Sequence, residues 1–141
     1  MGGRGWVLTP HSGGNKIPET VRKQTVARLE QHAAATLAGL YTRLEIRFRG
    51  PLCYIDAYTE PEEPPASLLE ITGETRDQFV ERMQASPLHL CRLRYFSVDR
   101  WSLAFYTYSN ERYEPCMFHH NDFFGTPEQG LDVGAMYLRG R

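Results

Sequence analysis

Tyr41-Thr42-Arg43-Leu44-Glu45-Ile46-Arg47-Phe48-Arg49 and Leu52-Cys53-Tyr54-Ile55-Asp56-Ala57-Tyr58 alternate polar and apolar residues on either side of Gly50-Pro51. Alternation with period two puts successive side chains on opposite faces of a strand, so these runs read as a β-hairpin. Pairing Arg49 with Leu52 brings Phe48/Cys53, Ile46/Ile55 and Leu44/Ala57 together on one face. The opposite face then carries Arg47/Tyr54, Glu45/Asp56 and Arg43/Tyr58. One side is dry, and the other sets two carboxylates among arginines and tyrosines.

A second strand pair follows from Leu88–Phe96 and Trp101–Tyr108. With an odd number of loop residues, Cys91, Leu93 and Tyr95 share a face with Trp101, Leu103 and Phe105. Arg92 and Arg94 then lie with Ser102, Ala104, Tyr106 and Tyr108. An even loop would bury the arginines beside Leu103 and Phe105, a costly arrangement without partners, so the odd loop is expected. A fifth short strand is expected around residues 113–118.

Helical periodicity frames these strands. Val21, Thr25, Leu29, Ala33 and Leu37 recur every four residues after Pro18, giving an amphipathic helix that ends near Gly39. Thr75-Arg76-Asp77-Gln78 and Thr126-Pro127-Glu128-Gln129 both have capping-box form. The first opens a helix expected to bury Phe79, Val80 and Met83, and the second one burying Leu131, Ala135 and Leu138. Between the first strand pair and the first capping box, residues 59–67 carry Pro61, Pro64 and Pro65 with Glu60, Glu62 and Glu63, an extended acidic connector. The expected fold is α+β: a two-layer sandwich in which a mainly antiparallel sheet of four or five strands carries about three helices on one face. Its order is helix-β-β-helix-β-β-(β)-helix. Residues 1–16, with Gly2, Gly3, Gly5, Gly13 and Gly14, form a flexible or draped arm, and residues 17–141 form a single domain.

Composition bounds the function more than it specifies it. A net charge of −1 gives no global pull toward nucleic acid or anionic membrane, so any such attraction must be local. Lys16 and Lys23 are the only lysines among 16 Lys and Arg residues, and arginine offers a planar fork for phosphate or carboxylate. Compositional bias of the genome produces the same skew. Three cysteines, Cys53, Cys91 and Cys116, lie in strand-like runs, and the N-terminus lacks a signal-peptide core. Buried thiols in a cytoplasmic protein, with no membrane partner and no cofactor, are therefore expected.

Three constellations could carry chemistry. If the hairpins are coplanar, Arg43, Arg47, Tyr54, Tyr58, Arg92, Arg94, Tyr106 and Tyr108 share one side of the sheet. Guanidinium groups grip phosphate and phenol rings stack on bases, so this face suits an anionic or planar partner such as single-stranded nucleic acid. The alternatives are a solvated lattice of cross-strand pairs, or a face covered by the N-terminal arm or by a second copy of the chain in a homodimer. The opposed pair Glu45 and Asp56 repels unless Arg43 and Arg47 neutralise it; an acid–base or metal-binding pair is the sharper alternative. Cys116, His119 and Asp122, spaced by three and completed by His11 or His120, could hold a divalent metal. Cys116 with His119 or His89 as base could also serve as a nucleophile. Finally, His11-Ser12-Gly13-Gly14-Asn15-Lys16 precedes a helix N-terminus but lacks the phosphate-loop spacing.

Overall fold

The structure, a computed structural model, describes residues 9–140. Five strands, β1 (Arg43–Arg49), β2 (Leu52–Tyr58), β3 (Leu88–Ser97), β4 (Arg100–Thr107) and β5 (Arg112–Cys116), pair in chain order as one antiparallel sheet. The helices are α1 (Glu19–Thr36), α2 (Ala66–Thr72), α3 (Arg76–Ala85), α4 (Pro127–Gly134) and the single turn α5 (Met136–Arg139). The architecture is the α+β sandwich that the alternation implied.

Register follows from which side chains tolerate water. Across β1 and β2, Arg43 pairs with Tyr58, Glu45 with Asp56, Arg47 with Tyr54 and Phe48 with Cys53. Across β3 and β4, Leu93 pairs with Leu103, Arg92 with Ala104 and Arg94 with Ser102, the expected facing. The turn between Ser97 and Arg100 has two residues, however, and an irregularity between Tyr95 and Ser97 supplies the odd count. β2 joins the two hairpins through Tyr54 against Arg92 and Leu52 against Arg94, which makes them coplanar. The dry face buries Cys53, Ile55, Ala57, Leu93, Tyr95, Trp101 and Leu103.

Three helices cover that dry face, α1, α4 and α5. α1 buries Val21, Thr25, Leu29 and Ala33, one residue per turn on a single stripe. α4 opens on the Thr126 capping box, with Thr126 Oγ1 accepting from the Gln129 amide and Gln129 Oε1 accepting from the Thr126 amide. It lies so close to the sheet that a Cβ on Gly130 would sit 2.5 Å from Leu93 Cδ2.

The middle helices correct the sequence expectation. Residues 59–65 run without helix or strand, as the proline-rich connector implies, but α2 begins at Ala66 inside the expected span, and α3 makes no substantial contact with any strand. Phe79 is buried, but Val80 is only partly so and Met83 is exposed. The reason is topological: β2 and β3 are adjacent antiparallel partners, so the segment joining them projects beyond the sheet instead of lying on it. Phe79 finds its cover locally, in an open groove of about 410 Å³ shared with Pro61, Pro64, Pro65, Leu68 and Met83. Among the described residues, no helix is long and apolar enough to cross a membrane.

Candidate functional site

The helix-free face of the sheet is built in cross-strand rows. Arg47, Tyr54, Arg92 and Ala104 form one row from β1 to β4. The neighbouring row holds Glu45, Asp56 and His89, and Tyr106 pairs with Tyr113 farther across. Three of the arginines lie over rings. The Arg43 guanidinium sits 3.8 Å from the Tyr58 centroid, Arg47 lies 5.1 Å from Tyr54, and Arg92 lies 5.4 Å from Tyr113. Such contacts are worth about 0.5–1 kcal/mol each at exposed sites.

Asp56 is the centre of the arrangement. It is only 2% exposed, and its two carboxylate oxygens serve different partners. Oδ2 accepts from Arg47 Nη2 at 3.0 Å, while Oδ1 lies 2.9 Å from His89 Nδ1. An ionised carboxylate can only accept, so Nδ1 carries the proton and Nε2 is left for another partner. The His89 backbone amide donates to the Tyr108 hydroxyl at 2.7 Å. Its ring packs 4.7 Å from Tyr106 and stacks 6.5 Å from Tyr108. Glu45 does not share Asp56's arginine; its Oε1 accepts from the Tyr58 hydroxyl at 3.1 Å. The two carboxylates thus have separate partners, a cation on Asp56 and a phenol hydroxyl on Glu45.

Beside Asp56, the face dips into a concavity of about 490 Å³ lined by Arg47, Phe48, Arg49, Tyr54, His89 and Tyr113. The size falls within the about 300–1,000 Å³ usual for small-ligand sites. Among the described residues Arg49 makes no ion pair, hydrogen bond or ring contact, and the Tyr113 hydroxyl is buried without a hydrogen-bond partner. Burial, reinforced by the Asp56 charge, pushes the Tyr113 phenol well above its ordinary range and keeps it a proton donor. The concavity therefore offers a free guanidinium, an imidazole fixed in orientation and two phenol rings.

The other end of the same face is covered. His11 lies against Arg92, Arg94, Ser102 and Ala104, leaving a gap of only about 10 Å³. Arg94 Nη1 donates to the Gly13 carbonyl at 3.0 Å, and the Asn15 amide donates to Tyr95 O at 2.9 Å. Burial, with Arg94 and Arg92 adding to it, lowers the His11 pKa and favours its neutral form. Residues 1–8 of the arm lie outside the described residues.

Other sequence candidates are not drawn together. Among the described residues no group of three or more His, Cys, Asp or Glu side chains is placed to hold a metal. Cys116 ends β5, whereas His119 and Asp122 are exposed in the turn beyond it. Asp122 Oδ1 accepts from the Phe124 amide, and His120 Nε2 meets Phe124 O at 2.9 Å. Burial pushes the Cys116 thiol up to about 11 and drives Cys53 and Cys91 well above the ordinary range. All three are thiols at neutral pH, whereas the thiolate is the nucleophile.

Sequence reasoning missed His89 as the partner of Asp56. The cause is a β-bulge: Ile55 pairs with Cys91 but Asp56 pairs with His89, leaving Leu90 as the extra residue. A signal was present in Leu88-His89-Leu90-Cys91, where unbroken alternation would put His89 on the dry face and Leu90 on the wet one. Bulging at Leu90 buries both Leu90 and Cys91 and returns His89 to the polar side. Tyr113 is not assigned a face by the sequence because the β4–β5 register shows only in the assembled sheet, and Arg49 escapes notice because it closes the hairpin. Comparison of the chain with protein-family models, with curated proteins and with solved structures finds no match.

Proposed function

We propose that the protein is a binding module whose uncovered sheet face takes an anionic partner bearing a planar ring, of the kind presented by single-stranded nucleic acid. One observation carries this reading: the Arg49 side chain, without a partner among the described residues, borders a concavity that Tyr54, Tyr113 and His89 also line. A guanidinium not committed to a protein carboxylate is available to phosphate, and phenol rings accept a base by stacking. Arg47 is a poorer anchor, because Asp56 already holds it. Its contribution is to keep the concavity from being net acidic.

The test is a salt titration of binding to a short 5′-phosphorylated oligothymidylate. Arg49→Ala is expected to weaken binding at least fivefold and to flatten the salt dependence by about one phosphate contact. Arg112→Ala, on the edge strand β5 away from the concavity, is expected to leave affinity within about twofold. Equal affinities in wild type and Arg49→Ala would overturn the proposal.

A further inference from the structure

Single-strand-binding faces are usually continuous, with a basic groove tracking successive phosphates and several rings stacking successive bases. The face of this sheet is interrupted. Arg92, which continues the row from Arg47 and Tyr54, and Arg94, which continues the row from Arg49 and Leu52, lie under residues 11–15. The cover is tight: Ser102 and Ala104 point to the polar side of the sheet yet are only 2% and 3% exposed. Arg94 spends a donor on Gly13, and Arg92 is turned over the Tyr113 ring. Toward β1, Arg43 is stacked on Tyr58, whose hydroxyl is given to Glu45. A strand leaving the concavity would meet occupied groups on both sides.

Resting on the reading of the concavity as an anion-and-ring site, we infer that it takes one nucleotide, a single phosphate with a single base, and that residues 11–15 set this limit. The phosphate falls to Arg49 and the base to the Tyr54 and Tyr113 rings, with His89 in the same lining. The chemical class is a nucleoside monophosphate, either free or as the phosphorylated end of a strand. Covering by the arm also accounts for the backbone at Gly14. Its φ is +86°, and a Cβ there would come within 2.7 Å of Tyr95 O, 3.1 Å of Arg94 Cγ and 3.2 Å of Pro51 Cβ. Only a residue without a side chain lets the arm lie this close to β3.

The experiment measures affinities for thymidine 5′-monophosphate and for 5′-phosphorylated oligothymidylates of increasing length. It uses full-length wild type, Gly14→Ala and Asn15→Ala, the last removing the bond from Asn15 Nδ2 to Phe96 O. In wild type no oligomer should bind more than about twofold tighter than the mononucleotide, with a salt slope of about −0.7 to −1.4, the value for one or two phosphates. Oligomers equal to the mononucleotide identify a strand end as the natural form, and weaker oligomers a free nucleotide. Unseating the arm should leave mononucleotide affinity unchanged and let the longer strands gain at least about tenfold, as Arg92 and Arg94 become available. If Gly14→Ala does not fold, Asn15→Ala gives the same readout with a smaller gain. Affinity rising with length in wild type, or staying flat in both arm variants, would overturn the size limit while leaving the site intact. Binding of neither probe would remove the site itself.

Discussion

At the scale of single residues, Asp56 shows how a buried charge is tolerated. It lies among aromatic rings with two cationic or proton-donating neighbours, Arg47 and His89, each on its own oxygen. Removing one neighbour leaves the other on the carboxylate, so each single loss is that of one hydrogen bond, about 1 kcal/mol. Removing both strands a carboxylate in the sheet, a loss of about 3–5 kcal/mol. Arg47→Ala and His89→Gln are therefore expected to be modest singly and to exceed their sum together, with Asp56→Asn in the doubly substituted chain recovering much of the loss. Urea denaturation of the five proteins measures this; strict additivity would show that Asp56 relies on other partners. His89 also illustrates a limit on pattern reading, since its facing depends on a bulge one residue away.

At the scale of elements, α1 and α4 are tied by ions as well as by packing. Arg28 donates through Nε and Nη2 to both Glu128 oxygens at 2.8 and 2.7 Å, and Nη2 also reaches Asp99 at 2.7 Å. Burial is the largest single influence and raises the Glu128 pKa, but the Arg28 hydrogen bonds, a backbone hydrogen bond and the nearby positive charge together outweigh it and hold the carboxyl below its ordinary 4.5. A depressed carboxylate contributes stability above its unfolded pKa, and that contribution disappears as pH falls through the folded value. Thermal melts of the wild type should thus lose stability on acidification below about pH 4.5, the unfolded reference. Arg28→Ala should start lower at neutral pH and show a shallower acid limb; an unchanged limb would mean that other carboxylates govern it. Both capping boxes were legible from four residues each, because the reciprocal hydrogen bonds are local. Whether the helix behind each cap would reach the sheet was not local, and only α4 does so.

For the molecule as a whole, the sheet is a meander with one excursion. The β2 and β3 ends are neighbours, since Ala57 pairs with Leu88, yet the chain between them forms α2 and α3. That excursion has its own small apolar centre around Phe79 and its own ion pairs, Arg76 with Glu63 and Arg82 with Glu74. Because it adds little to the main core, replacing residues 61–86 by a short glycine-containing turn should preserve a cooperatively unfolding sheet. Closing a shorter loop costs less entropy, about 0.6 kcal/mol for each halving, which offsets part of any packing lost. Circular dichroism with thermal melts checks this, and a non-cooperative product would mean that the excursion is integral. The exposed Ile71 and Met83 belong to this unit and would go with it.

Face assignment, strand pairing within each hairpin, helix caps and the α+β class were readable in the chain because each depends on spacing and on the cost of wetting or drying a side chain. Alternation assigns Tyr54 and Arg92 each to the polar face of its own hairpin, and the β2–β3 pairing makes those faces one surface. The composition of the site was different in kind. Bringing His89 to Asp56 needs a bulge, exposing Arg49 needs the absence of any acidic neighbour, and covering Arg92 and Arg94 needs a segment some 80 residues earlier to fold back. Those are long-range contacts whose balance of close packing, hydrogen bonding and desolvation is set only when all five strands are assembled, so no window of sequence contains them.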